Sequence, residues 1–144
     1  MNSDMKPTRL TSLVLSATLL ALLAGCAMNP VTGTPDMVFM TEVQEIESGR
    51  EYDVIIRKSF GAYDNKAMQQ YVDSVGQKLA KASHRPELKW TFTILDSPNV
   101  NAFALPGGYV YITRGLMTYL ASEADLAAVL GHEIGHVTAR HGVR

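Results

Sequence analysis

The sequence contains a single cysteine, Cys26, and so it holds no intramolecular disulfide framework. It also lacks a charge imbalance, because its 13 Lys and Arg residues are offset by 14 Asp and Glu residues. A formal net charge of −1 gives no basic surface for nucleic acid, so we expect no nucleic-acid partner. Hydrophobic residues make up 47% of the chain, which is too many for a disordered protein. The 144 residues are enough for one domain with a modest core.

Residues 1–25 have the pattern of a secretory signal peptide. Two basic residues precede an uncharged apolar stretch from Leu13 to Ala24, which is too short to span a bilayer comfortably. This stretch ends in Leu23-Ala24-Gly25-Cys26, which resembles the lipobox of bacterial lipoproteins. The resemblance implies cleavage before Cys26, lipid on its sulfur and a stable membrane anchor. The alternative is a plain signal peptide followed by an incidental cysteine.

Residues 26–36 are predicted to be the lipid-bearing Cys26 and a tether that joins it to the folded domain. Asn29 to Pro35 is polar and contains Pro and Gly, which is typical of a linker. An aspartate after the cysteine would resemble an inner-membrane retention signal, but the residues that follow Cys26 are Ala27 and Met28. We therefore expect anchoring to the outer membrane of a bacterium, with the domain in the periplasm.

Residues 37–144 are predicted to fold as an α+β domain with helices packed on a small sheet. Thr41 and Gln44 look like a capping box for a helix from about Glu42 to Lys58, and Asp64 is expected to cap a second helix. The alternation of apolar and polar residues over 88–94 predicts a half-buried strand. Further along are two more predicted strands, Asn101–Leu105 and Tyr109–Thr113, a turn at Pro106–Gly108, and a short helix, Arg114–Leu120.

The last predicted helix begins after Ser122, which forms a capping signature with Asp125. It is expected to end at about His141, with Gly142 as the C′ residue. Nearly every residue from Leu126 to Ala139 is apolar or small, so this helix should be buried on most sides.

His132, Glu133 and His136 lie within this helix. At about 100° per residue the two histidines lie roughly 40° apart, one turn above the other, so both can reach one ion. A buried ionised carboxylate beside them is costly unless it is paired or held near a metal. This HExxH arrangement predicts a Zn²⁺ site with His132 and His136 as ligands and Glu133 as the general base. The alternative is a chance match on an ordinary buried helix. His141 lies about 180° around a regular helix from His132 and is interpreted as a structural histidine near the helix end.

Two stretches, Asn101 to Leu116 and Ser122 to His141, resemble metallopeptidase family forty-eight. That family includes the HtpX-like and CAAX-prenyl-protease-like gluzincins, and the chain is most similar to its periplasmic BepA- and LoiP-like lipoprotein members. The resemblance implies a zincin-like fold and a zinc endopeptidase that acts on protein or peptide substrates. It also implies that His132 and His136 bind zinc and that Glu133 is catalytic.

The resemblance also implies that Asn101, Ala102, Phe103 and Ala104 border the substrate cleft. An exposed strand edge near the site can hold an extended peptide by backbone pairing, which agrees with that placement. Residues 106–108 could border the same cleft or could simply form a hairpin turn, and the sequence does not separate these two explanations.

Family members take their third zinc ligand from a glutamate on a helix downstream of HExxH, and no residue after His136 matches it. We therefore expect residues 37–144 to be the N-terminal part of a zinc metallopeptidase domain. These residues alone should bind zinc weakly and show little or no peptidase activity. The family suggests misfolded envelope proteins as substrates. The alternative function is a non-catalytic envelope lipoprotein that binds assembly partners.

Overall fold

The computed structural model describes residues 26–28, 35–37 and 40–143. The predicted signal peptide and residues 29–34 of the predicted tether lie outside these ranges. Cys26–Met28 (β1) pairs antiparallel with Pro35–Met37 (β2), so the two ends of the tether segment lie side by side. In the described part of the chain, no helix is both long enough and apolar enough to cross a membrane.

Within residues 40–143, four helices and a three-stranded sheet form the main body of the structure. In chain order they are α1 (Glu42–Phe60), α2 (Lys66–Lys81), β3 (Thr91–Leu95), β4 (Ala102–Leu105), β5 (Tyr109–Thr113), α3 (Arg114–Met117) and α4 (Glu123–Thr138). The strand order is β3-β5-β4, in which β5 pairs parallel with β3 and antiparallel with β4. The predicted α+β class is confirmed.

The helix starts follow from side chains close in sequence. The predicted capping box of α1 is confirmed, because the Thr41 hydroxyl accepts from the Gln44 amide at 3.3 Å and the Gln44 side chain accepts from the Thr41 amide at 2.9 Å. The predicted cap of α2 is wrong by one residue. Asn65, not Asp64, accepts a hydrogen bond from the Met68 amide at 3.0 Å. Asn65 directly precedes the first helical residue, and Asn caps a helix as well as Asp does.

The sheet is covered on both faces, which corrects the expectation of a half-buried strand. Phe92 and Ile94 point into a core formed with α2 and α4. On the opposite face Thr93 pairs in register with Tyr111, and both are buried beneath α1. Arg57 of α1 donates to the Thr93 hydroxyl at 3.0 Å. The alternation of apolar and polar residues predicts that Thr93 faces solvent, because threonine is polar. In the structure α1 covers Thr93, and the polar side chain bonds to Arg57 instead of water.

Tyr111 links the sheet to α1 through a hydrogen bond. Its phenol donates a 2.6 Å hydrogen bond to Asp53, and Asp53 also accepts from Arg57 at 2.7 Å. Burial, and then the bond to Asp53, raise the pKa of Tyr111 far above its usual value. The phenol therefore stays protonated and keeps α1 against the sheet.

Gly49 marks the closest approach between α1 and the turn that joins β4 to β5. A Cβ atom at this position would overlap the backbone carbonyl oxygen of Pro106. We expect Gly49→Ala to lower the free energy of unfolding by about 1–3 kcal/mol, because the backbone must shift to admit the methyl group. Urea denaturation of both proteins measures this difference.

Gly131→Ala is the matched control, because a Cβ there meets no atom of the described structure within 4 Å. A helix-interior Gly→Ala change without a clash is stabilising by roughly 0.5–1 kcal/mol. Equal stability changes in the two variants would contradict the close contact at Gly49.

Candidate metal centre and active site

The start of α4 is as predicted, but its burial is not. Ser122 caps the helix by accepting from the Asp125 amide at 3.2 Å. One face is buried, and on it lie Leu126, Leu130, Glu133, Ile134, Val137 and Thr138. The face that carries His132, Gly135 and His136 is exposed in the described structure, so the expectation of burial on most sides is wrong. Much of the apolar character of α4 comes from Ala and Gly, which bury little area and can face solvent at low cost.

The end of α4 also differs from the prediction. The helix stops at Thr138, and the residue with left-handed backbone is Arg140 (φ 56°), not Gly142. A short 3-10 helix, His141–Val143, follows. The side chain of Arg140 explains the turn, because it donates to the carbonyl of Met40 at 2.9 Å and lies 3.0 Å from a carboxylate oxygen of Glu45.

His132 and His136 turn their Nε2 atoms toward each other at 3.0 Å, with the rings almost perpendicular. Two imidazole nitrogens that share a tetrahedral Zn²⁺ ion, at bonds of about 2.0–2.1 Å, lie roughly 3.3 Å apart. The observed separation is close to that value, and imidazole nitrogen is a preferred zinc ligand. The two side chains therefore fit a shared metal ion on the exposed face of α4.

Glu133 is only 9% exposed and lies between these two histidines in sequence. Among residues 40–143 its carboxylate has neither a hydrogen bond nor an ion pair. The other buried glutamate, Glu45, is paired with two arginines. The buried polar atoms without a hydrogen-bond partner in the described residues are an oxygen of Glu45 and Nε of Arg140, and the Glu133 oxygens are not among them.

The described residues contain no group of three or more His, Cys, Asp or Glu side chains arranged to hold a metal ion. Catalytic zinc sites normally have three protein ligands. His132 and His136 therefore form a partial ligand set within the described part of the chain, and no third ligand is assigned.

The four predicted substrate-binding residues lie in or beside β4, at the edge of the described sheet. Asn101 is tied to β5, because its amide donates to the Thr113 hydroxyl at 3.1 Å. Phe103 stacks on Tyr111 with ring centroids 5.0 Å apart, on the α1 side of the sheet. Ala102 and Ala104 pack against the core on the side of α4.

β4 lies next to the end of α4 that carries His136. A small cavity of about 30 Å³ separates them and is lined by Ala104, Pro106 and His136, among others. The structure thus brings the edge strand beside the HExxH segment. Peptide binding along the strand stays a prediction.

A buried ionic cluster beneath the site was not identified from the sequence. Arg85 donates to Glu45 at 2.7 Å and to Glu42 at 3.0 Å, and the Gly107 amide contacts the same Glu45 oxygen at 3.4 Å. Burial alone would lower the pKa of Arg85, but Glu45 and Glu42 raise it above its usual value. Arg85 lies in the loop before β3, so no local pattern links it to α1.

The comparison with known families identifies the chain. Peptidase family M48 matches residues 66–144, which include β3, β4, β5 and the whole of α4. The chain belongs to peptidase family M48. The family resemblance expected from the motifs is therefore confirmed, and the family implies a metal cofactor.

Curated relatives in this M48 family carry protease names. The chain is 32% identical over 115 residues to the beta-barrel assembly-enhancing protease of Escherichia coli, covering 80% of the chain and 24% of that protein. It is 32% identical over 143 residues to the protein of the same name from Yersinia pestis, covering 95% and 29%. The mitochondrial metalloendopeptidase OMA1 of Schizosaccharomyces pombe is 41% identical over 71 residues, covering 49% and 21%. The chain thus spans about a quarter of the length of these relatives.

Proposed function

We propose that this M48 chain carries the metal-binding helix of a zinc-dependent metalloendopeptidase. His132 and His136 hold one Zn²⁺ ion through their Nε2 atoms, and Glu133 is the general base. The observation that supports this most strongly is the pair of imidazoles on α4 whose Nε2 atoms converge at 3.0 Å, with Glu133 between them in the same helix. The peptidase family supports the same chemistry.

In the proposed reaction, Glu133 and the edge strand β4 have separate roles. Zinc, when bound, supplies Lewis-acid chemistry that polarises a carbonyl and makes water more acidic. Glu133 accepts a proton from the attacking water and returns it to the leaving amine. The edge of β4, from Asn101 to Ala104, holds an extended peptide by backbone pairing, so that the scissile bond lies over the end of α4.

The proposed location and substrates are supported by the N-terminal sequence and by the names of the relatives. The segment that ends at Cys26 resembles a lipobox, which supports a lipid on Cys26 that holds the protein in the bacterial periplasm. The absence of an aspartate at Ala27 and Met28 supports the outer membrane as the site of anchoring. Two relatives are named for enhancing β-barrel assembly. We therefore propose envelope proteins as substrates and envelope-assembly proteins as partners, in protein quality control.

Zinc content tests the metal site directly. The purified full-length gene product should retain one zinc ion per chain after dialysis, measured by atomic emission. His132→Ala and His136→Ala should each lose this stoichiometric zinc, since each removes one of the two imidazole ligands.

His84→Ala is the matched control, because it removes an exposed imidazole from the loop before β3 and should leave the zinc content unchanged. Full zinc loading in both site variants would overturn the proposed site. A zinc-free wild-type protein that still binds envelope-assembly proteins would favour the alternative, a non-catalytic binding lipoprotein.

A further inference from the structure

His141 lies against the HExxH segment, although a regular helix would have carried it to the other side. Its Nδ1 atom is 2.7 Å from Nδ1 of His136, and the two ring centroids are 5.0 Å apart. The Nε2 atom of the same His136 ring faces His132 at 3.0 Å. The His136 ring is therefore held between two imidazoles, one at each nitrogen.

The left-handed turn at Arg140 places His141 there. A non-glycine residue with φ of 56° is strained and persists only where the surroundings hold it. Arg140 is held by the carbonyl of Met40 and by the buried carboxylate of Glu45, both on the segment that begins α1. Contacts with residues about 100 positions earlier in the chain thus hold the backbone reversal at Arg140. The reversal directs the side chain of His141 toward His136.

We propose that His141 is a positioning residue for His136. The Nδ1–H group of His136 donates to Nδ1 of His141, which fixes the tautomer of His136 and leaves the Nε2 lone pair free. In this tautomer Nε2 points toward Nε2 of His132, the side on which a shared metal ion would lie. Partners of this kind orient metal-binding imidazoles and raise their basicity. The inference rests on the metal site of the proposed function and adds a residue to it.

The geometry assigns His141 to this role and not to direct ligation. Its Nδ1 contacts the Nδ1 side of His136, whereas the two proposed ligand atoms converge on the Nε2 side. No trio of metal-binding side chains is found in the described residues, which agrees with a hydrogen-bonding role. His141 is exposed, so its substitution does not disturb the core.

The first measurement uses the metal-free full chain and long-range ¹H–¹⁵N spectra of the imidazoles at mildly alkaline pH. Wild-type His136 should show the Nδ1–H tautomer. His141→Phe keeps a ring but removes the acceptor, so His136 should populate both tautomers. His141→Asn places an amide oxygen close to the position of Nδ1 and should restore the wild-type spectrum, which a purely structural role would not require.

The second measurement is the zinc affinity, by competition with a chromophoric chelator. Loss of such a partner typically weakens metal binding by about 10–100-fold, so we expect this loss for His141→Phe, near wild-type affinity for His141→Asn, and no change for His84→Phe.

Three results would overturn the role of His141. They are an Nε2–H tautomer of His136 in the wild-type protein, unchanged tautomer and zinc affinity in His141→Phe, and a zinc-induced shift of a His141 nitrogen as large as those of His132 and His136, which would make it a ligand. The tautomer result stands without zinc. A wild-type protein that has the Nδ1–H tautomer and binds no zinc therefore supports the role of His141 and contradicts the proposed function.

Discussion

Glu133→Gln in the full-length protein is expected to lower kcat/KM for cleavage of an unfolded protein such as casein by about 10²–10⁴-fold. The amide has nearly the shape of the carboxylate but cannot accept a proton from water. In the described structure Glu133 has no ion pair or hydrogen bond that the substitution would break, so folding should be unaffected. Cleavage is measured by the release of peptide fragments, with and without a chelator.

The zinc content separates the role of Glu133 from that of its neighbours. Since Glu133 is proposed as a base and not as a ligand, Glu133→Gln should keep the zinc that His132→Ala and His136→Ala lose. Glu51→Gln changes an exposed carboxylate on α1 and should leave both activity and zinc unchanged. Chelator-sensitive cleavage at the wild-type rate by Glu133→Gln would show that another group is the base.

The features that were predicted well depend on residues near one another in sequence. The capping box at Thr41 and Gln44 spans three residues, and the start of α4 depends on Ser122 and Asp125 in the same way. The strand β5 was predicted with its observed limits, because β-branched and aromatic residues are followed directly by the cap of α3. Likewise, helical periodicity alone is enough to predict that His132 and His136 lie one turn apart on the same face of α4.

The end of α4 and the position of His141 were missed because they depend on contacts between distant parts of the chain. Arg140 bonds to Met40, 100 residues away, and this contact ends α4 and reverses the chain. Without it, Gly142 is the better choice for a left-handed residue, since glycine adopts that backbone freely. The position of His141 then follows from the tertiary contact and not from the helical period. Sequence patterns alone therefore place His136 correctly and His141 on the wrong side.

Glu45→Gln is expected to lower the free energy of unfolding by about 3–5 kcal/mol, the range measured when one partner of a buried ion pair is removed. The Glu45 side chain is 1% exposed, and it lies 2.7 Å from Arg85 and 3.0 Å from Arg140. The Arg140 N–H is not aimed at the carboxylate, so this second contact is an ion pair without a hydrogen bond. Neutralising Glu45 leaves Arg140 facing a neutral amide and leaves Arg85 with two exposed partners, Glu42 at 3.0 Å and Glu87 at 3.9 Å.

Urea denaturation measures the loss, and Glu47→Gln is the control. Glu47 lies on the same helix and pairs with Arg50 at 2.6 Å, but both side chains are more than half exposed. An exposed ion pair contributes little, so the control should unfold at nearly the wild-type urea concentration. The same variants test the link to the metal centre. Glu45→Gln loosens the turn at Arg140 and should weaken zinc binding through His141, whereas Glu47→Gln should not. If Glu45→Gln were as stable as the control, the buried cluster could not be what holds the Arg140 turn in place.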